Sequence, residues 1–295
     1  MSTTGEIYKK DWWQIEAFKR FVPTIKEAIN VSKIHHILDL GSGNGVVTQY
    51  IASIFPNADI LGVDANREMV SYAQKNNIKS NIRFEHLDIR NLEKLYENGT
   101  KFDLINANYV LHWLLQHEKK ELFQKLSKII TPNAFLMLGT CQRFPNFLKF
   151  LDNNIRKYLN ITTTIPEYIH YFSEKEWADF LHQNDFSVKG SYKNLDIHPI
   201  LLSEKIDDPN NFLRIWLYGA SAGKAAYFQA PECFNEKFIQ KLVKKTCELY
   251  GTENYYKNDK ETENLQPYKY AVFEEETLFM VAQKFTEKMN NILRG

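Results

Sequence analysis

Residues 37–45, ILDLGSGNG, constrain this chain more than any other stretch. An apolar run is followed at once by three glycines in five residues, Gly41, Gly43 and Gly45. The apolar run reads as a buried strand, and VVTQYIASIF, residues 46–55, reads as a helix that stops before Pro56. A strand, a glycine-rich turn and a helix bring backbone N–H groups and the positive end of a helix dipole to one point. Nucleotide ligands use such a point. The dinucleotide fingerprint GxGxxG needs its third glycine at position 46, where Val46 stands, so the pattern is Asp39-x-Gly41-x-Gly43-x-Gly45.

The alternation continues. DILGVD, IRFEHLDI, KFDLINANYV and AFLMLGT read as strands, separated by REMVSYAQKN and by a helical stripe of Leu122, Phe123, Leu126, Ile129 and Ile130. Strands alternating with helices over residues 35–140 predict a parallel sheet whose right-handed crossovers put helices on both faces. Upstream, Ile15, Phe18, Val22, Ile25 and Ile29 form an amphipathic helical stripe, which Pro23 is expected to divide. After residue 141 the alternation breaks. Residues 144–172 read as helix and loop. SEKEWADFLHQNDF opens with a capping box, Ser173 and Glu176, and buries Trp177, Phe180 and Leu181. FSVKGSY reads as a sixth strand, residues 195–267 as mostly helical, and YKYAVFEEETLFMVAQK as one or two further strands.

The next two strands each end in a carboxylate. Asp64 ends the second strand, where it can accept both hydroxyls of a ribose. Asp88 ends the third, where it can accept from an adenine amino group. Together with DxGxGxG, these residues resemble the class I S-adenosylmethionine-dependent methyltransferases over residues 35–140, and more weakly over LFMVAQK. The resemblance implies an α/β, doubly wound, seven-stranded Rossmann-like sheet in the order 3-2-1-4-5-7-6, with the seventh strand antiparallel. It implies S-adenosylmethionine as cofactor, leaving as S-adenosylhomocysteine. Gly41 and Gly43 would pass close to its methionine part, Asp64 would hold the ribose, Asp88 and Ile89 would flank the adenine, and Gly45 and Ala65 would complete the cofactor-binding set. Backbone near Asn106 would meet the ammonium group. Asp39 would serve the cofactor or cap its own glycine loop. The implied organisation is an N-terminal helical segment, 1–34, over the cofactor site, a core of 35–143 completed by 173–194 and 268–295, and a helical cap or substrate lid from 144–172 and 195–267.

Methyl transfer from a sulfonium is an in-line displacement, so the protein mainly positions and desolvates the nucleophile. A carboxylate acceptor needs no base, whereas a phenol or amine must lose a proton. The fourth strand runs out into NANYVLHWLLQ, and LHWL here resembles the carboxyl methyltransferases for salicylic, jasmonic and juvenile hormone acids. It is also similar to the trans-aconitate and malonyl-carrier-protein enzymes. By that resemblance Trp113 and Gln14, both neutral donors, orient the substrate carboxylate, beside Tyr109. The alternative is N-, C- or phenolic O-methylation with His112 as base. Arg143, Arg214 and Lys224 are candidates for a second acidic group on the substrate, against the alternative that they are solvated charges on a helix, and Tyr218 is a further candidate substrate contact.

Charge and composition narrow the rest. A net charge of +1 offers no broad basic surface for a phosphate backbone, so nucleic acid is not expected as partner. Cys141, Cys233 and Cys247 lie far apart, and no His/Cys/Asp spacing suits a metal. The N-terminus has no signal-peptide core and no apolar stretch approaches ~20 residues, so the expected setting is cytoplasmic, with no membrane partner. A small-molecule acceptor is expected. Whether it is free or carrier-bound, and whether the chain forms a homodimer, stay open. A nicotinamide oxidoreductase is disfavoured by Val46, and a non-catalytic binding module by the intact glycines and Asp64.

Overall fold

The computed structural model describes residues 12–142, 171–201 and 270–285. Seven strands form one sheet: β1 (His36–Leu40), β2 (Asp59–Asp64), β3 (Ile82–His86), β4 (Phe102–Asn108), β5 (Ile130–Cys141), β6 (Phe186–Leu201) and β7 (Tyr270–Lys284). Their order is β3-β2-β1-β4-β5-β7-β6. The pairs β1–β2, β1–β4, β2–β3 and β4–β5 are parallel, and β7 runs antiparallel to β5. The expected doubly wound sheet and its antiparallel seventh strand are therefore present.

Side chains alternate across the pleat, and the two faces bury different partners. Leu38 and Leu40 of β1 join a cluster with Leu122, Phe123 and Leu126 of α4 (Gln116–Leu126) and Trp177 and Leu181 of α5 (Glu174–Gln183). Ile37, next to Leu38, points the other way. It joins α1 (Trp12–Ala28), α2 (Val46–Ile54) and α3 (Arg67–Asn76) through Phe18, Phe21, Ile25, Ile51 and Val70. Phe21 stacks on Phe279 of β7 at 5.0 Å, and Phe18 meets the same ring edge-on at 6.2 Å. Each such ring contributes about 1.5–3 kcal/mol of burial.

That packing corrects the reading of the first helix. α1 runs unbroken through Pro23. Proline removes a helical hydrogen bond at a cost of about 3 kcal/mol. Phe18 and Phe21 before it and Ile25 and Ile29 after it are all fully buried on the same face, which offsets the cost. The last apolar segment, read as one or two strands, is one long strand, β7. The capping box is as expected: Ser173 Oγ accepts from Glu176 N, and the Glu176 carboxylate accepts from Ser173 N at 2.7 Å.

The chain divides into two compact units, Asp11–Arg143 with Glu167–Asn194 and Thr277–Gly295, and Met1–Lys10 with Phe144–Pro166 and Leu195–Glu276. α1 belongs to the first. Most of the segments expected to form a cap, 144–172 and 195–267, lie outside the described residues. Among the described residues no helix is long and apolar enough to cross a membrane, and no group of three or more His, Cys, Asp or Glu could hold a metal ion.

Candidate active site

The parallel strands end together, and the loops that leave them build the site. The first is the glycine turn between β1 and α2. Gly41, Gly43 and Gly45 all have left-handed φ, at 67°, 54° and 79°. Two of them are bare because the protein itself approaches. A Cβ at Gly41 would lie 2.5 Å from Val110 Cγ2, and one at Gly45 would lie 2.6 Å from the ring of Phe84. Around a Cβ at Gly43 there is nothing within 4 Å, so this glycine opens onto free space. The loop spends several of its own donors. Ser42 N bonds to Val63 O, Gly43 N to Asp64 Oδ2 and Gly45 N to Ser42 O, at 2.9–3.0 Å. The turn offers a ligand room more than the row of bare N–H groups its sequence suggests.

Beneath the turn sits Asp39. The register sets it beside Asn106 on β4. Its Oδ1 accepts from Asn106 Nδ2 at 2.7 Å and its Oδ2 from Thr48 Oγ1 of α2 at 2.6 Å. At 2% exposure, burial pushes its pKa up to about 6 against those two bonds, with the nearby Asp64 adding to the rise. The carboxylate thus ties β1, β4 and α2 together. It leaves acceptors behind. Asn106 Oδ1, Asn108 Oδ1 and Ser42 Oγ are buried polar atoms without a hydrogen-bond partner. Buried acceptors of this kind are costly to leave unmet and mark where a donor-bearing ligand belongs.

Asp64 closes β2. Its Oδ1 accepts from Asn66 N at 2.7 Å and its Oδ2 from Gly43 N at 2.9 Å, and burial pushes its pKa upward. An ionised carboxylate has about four acceptor positions, so two hydroxyls can still be received. Ala65 lends its carbonyl to His86 Nε2 at 3.0 Å. Asp88, after β3, caps the 3₁₀ segment Ile89–Asn98 by accepting from Arg90 N, and is gripped by the Arg90 guanidinium through Nε and Nη2. Partial burial raises its pKa, but Arg90 more than reverses this and holds it below the ordinary value. Ile89 is buried in the core.

β4 leaves the sheet at Tyr109, whose φ is 54°. Its N–H bonds to Gly139 O at 2.8 Å and its ring meets Phe279 edge-on. Gly139 is obligatory here, because a Cβ would stand 2.1 Å from Asn108 Oδ1. A 3₁₀ turn, Leu111–Trp113, follows. His112 is 8% exposed, stacked on Tyr171 at 5.9 Å and tilted against the half-buried Trp113 at 4.9 Å. Burial, aided by the charge on Lys119, pushes its pKa down to about 3, so the imidazole is neutral. Its Nδ1 has no partner.

Asp39, Gly41, Gly43, Gly45, Asp64, Ala65, Asp88, Ile89 and Asn106 thus all lie at or just below the C-terminal edge of the parallel strands, with Tyr109, His112 and Trp113 on the segment leaving β4. Gln14 falls in the first turn of α1, its side chain outside the described residues. Arg143, Arg214, Tyr218 and Lys224 lie outside them altogether. Thr48, Ser42, Arg90, Glu118 and Lys119 carry no motif, and only the folded contacts reveal them.

This sheet, with a glycine turn opening on space and two strand-end carboxylates, defines an α/β protein whose candidate site is the crevice at the strand ends. A sequence model of the methyltransferase domain matches residues 32–185, and the chain belongs to that family of methyltransferases. It is 26% identical over 221 residues to a malonyl-[acyl-carrier protein] O-methyltransferase of Halalkalibacterium halodurans, a match covering 74% of this chain and 76% of that one. It is 34% identical over 100 residues to a trans-aconitate 2-methyltransferase of Deinococcus radiodurans, covering 34% and 35%. Three other relatives are matched over 52%, 38% and 40% of their length. The crystal structure of an S-adenosylmethionine-dependent methyltransferase from Anabaena variabilis shares the fold, with a TM-score of 0.51, 14% identity, and coverage of 91% of this chain and 84% of that one.

Proposed function

We propose that the chain transfers a methyl group from S-adenosylmethionine to a carboxylate of a small molecule, giving a methyl ester and S-adenosylhomocysteine. The residues fit the cofactor's chemistry. The space at Gly43 suits its methionine arm. The unmet acceptors Asn106 Oδ1 and Ser42 Oγ suit its ammonium group, Asp64 its ribose hydroxyls and Asp88 its adenine amino group. Asp39 then acts from beneath, fixing the Asn106 amide so that its oxygen stays free for the ligand. When bound, the cofactor supplies a methyl group activated by sulfonium charge.

The observation that carries the carboxylate reading is the neutral His112. Burial pushes the pKa of the His112 imidazole down to about 3, which makes it a poor general base for a phenol or an ammonium group at neutral pH. A carboxylate is already ionised and needs only orientation. Trp113, beside His112, supplies an indole N–H for that, and Gln14 is proposed as a second neutral donor. Two relatives named for acceptors that carry carboxylates, malonyl-carrier protein and trans-aconitate, support the same reading.

The test uses methyl-labelled S-adenosylmethionine with organic acids, amines and phenols as acceptors. Product that releases labelled methanol in mild base is the expected ester. Product stable to base would replace this reading with N-, C- or ether methylation. Trp113→Ala is expected to lower turnover at least ~10-fold while S-adenosylhomocysteine affinity changes less than ~3-fold, the pattern of a contact made in the transition state. Lost cofactor affinity with turnover intact would remove Trp113 from the acceptor site.

A further inference from the structure

Two adjacent charged residues of α4, Glu118 and Lys119, grip one peptide unit. Glu118 Oε2 accepts from Leu115 N at 2.8 Å. Lys119 Nζ donates to Leu114 O at 2.5 Å. The carbonyl of Leu114 and the N–H of Leu115 belong to the same peptide, so that plane is held from both ends. It follows directly on the turn that presents His112 and Trp113, whose own bonds are Trp113 N to Val110 O and Leu114 N to Leu111 O.

The grip is built into the protein at some cost. Lys119 is fully buried, with its ammonium 5.2 Å from the centre of the Phe172 ring. Phe172 directly follows Tyr171, the ring on which His112 stacks. A lysine in such a place is expensive, and a leucine would fill it more cheaply. Glu118 faces the other way as well. Its Oε1 lies 3.5 Å from Arg90 Nη1, and Arg90 holds Asp88 through Nε and Nη2. Lys125 fastens the same arginine, donating to its carbonyl and pairing with Glu93 at 3.0 Å. A continuous chain of charged groups therefore runs from the carboxylate after β3 to the turn after β4.

We infer that Arg90 and Glu118 are positioning residues that tie the adenine end of the cofactor to the acceptor turn, with Lys119 as the fixed anchor on the far side of the Leu114–Leu115 peptide. The inference rests on the cofactor reading above, which sets adenine at Asp88 and acceptor at Trp113. A donor arriving at Asp88 competes with Arg90 for the carboxylate oxygens. The guanidinium then turns more fully to Glu118, whose other oxygen holds the turn. Occupancy of the adenine site would thereby set the angle at which Trp113 meets the substrate. A plain helix cap would explain the bond from Leu115 N to Glu118. It explains neither the arginine on the second oxygen nor the buried lysine on the same peptide.

The test separates the relay from the cap. Adenosine carries the adenine and ribose but no methionine arm, so any change it causes at Trp113 must pass through the protein. The reading is the part of the adenosine-induced fluorescence change that disappears in Trp113→Phe. S-adenosylhomocysteine binding is measured in parallel by calorimetry. Glu118→Gln keeps an oxygen for Leu115 N but loses the charge that meets Arg90. The expected result is a Trp113 response in the parent protein that falls at least ~3-fold in Glu118→Gln and in Arg90→Gln, and falls no further in the double variant, as for two residues on one path. S-adenosylhomocysteine affinity in Glu118→Gln is expected to stay within ~3-fold of the parent. A response of parental size in Glu118→Gln overturns the relay, as does a parent protein that binds adenosine without any Trp113 response. Binding of S-adenosylhomocysteine but not adenosine overturns it too, while leaving the methionine end of the cofactor site standing. Binding of neither removes the cofactor reading itself.

Discussion

Burial moves the two best-placed titratable side chains of the site in opposite directions. Asp39 is raised to about 6 and His112 lowered to about 3, both mainly by loss of water. For His112 the folded value lies below the unfolded value of ~6.5, so between the two the unfolded chain holds the extra proton. Its stabilising contribution is complete above ~6.5 and is lost as the pH falls towards 3. His112→Gln is expected to flatten the fall in stability between those limits, read as urea midpoints across a pH series. Turnover of the parent protein should pass through pH 6.5 without an imidazole inflection. Because Asp39 is itself raised to about 6, only an inflection near ~6.5 that disappears in His112→Gln would restore His112 as a base. At this scale the sequence places the glycines in the turn after β1 and the carboxylates at the end of β2 and after β3, where the structure also has them, because the strand pattern fixes those positions. It does not reveal that Asp39 spends both oxygens on Thr48 and Asn106. Thr48 is nine residues away on the next helix and Asn106 is 67 away, and no local pattern encodes either contact.

The glycine turn is a single element whose three glycines answer to different demands, and substitution separates them. Alanine at Gly41 must displace Val110 as well as adopt a left-handed φ. The expected loss is about 2–4 kcal/mol from overpacking and backbone strain together. Alanine at Gly43 meets no atom, so only the backbone cost of about 1–2 kcal/mol applies. Its methyl would stand in the space assigned to the methionine arm. Gly43→Ala should therefore weaken S-adenosylhomocysteine binding by more than its stability loss suggests, and Gly41→Ala should do the reverse. Urea midpoints beside calorimetric affinities decide between them, and equal effects on both quantities at both sites would undo the assignment. The periodicity that makes β1 to β5 and α2 to α4 readable is a burial pattern, so it fails where burial overrides local chemistry. α1 continues through Pro23 because Phe18, Phe21, Ile25 and Ile29 all pack inward. The segment Ile89–Asn98, which no strand or α-helix period marks, winds as 3₁₀ turns behind the Asp88 cap.

Among the described residues, local pattern finds the strands but orders only the parallel part of the sheet. The place of β7 between β5 and β6 depends on pairing over more than a hundred residues, Leu138 with Met280 for example, and came from the family resemblance rather than from periodicity. The same long-range assembly has a consequence for stability. Every residue proposed to hold the cofactor, from Asp39 to Asn106, belongs to the unit that contains Asp11–Arg143. The loops concerned leave four different strands and are otherwise tied by only a few bonds, such as Gly43 N to Asp64 and Ser42 N to Val63. A ligand that binds only the folded unit stabilises it by about 2.7 kcal/mol at a hundred times its dissociation constant. S-adenosylhomocysteine at that level should raise the unfolding midpoint of this unit accordingly. Amide hydrogen exchange should slow together at residues 41–45, 64–66, 88–90 and 106–113, because one ligand bridges all four loops. Slowing confined to the glycine turn would mean that the ligand meets β1 alone, and the assignment of Asp64 and Asp88 would fall with it.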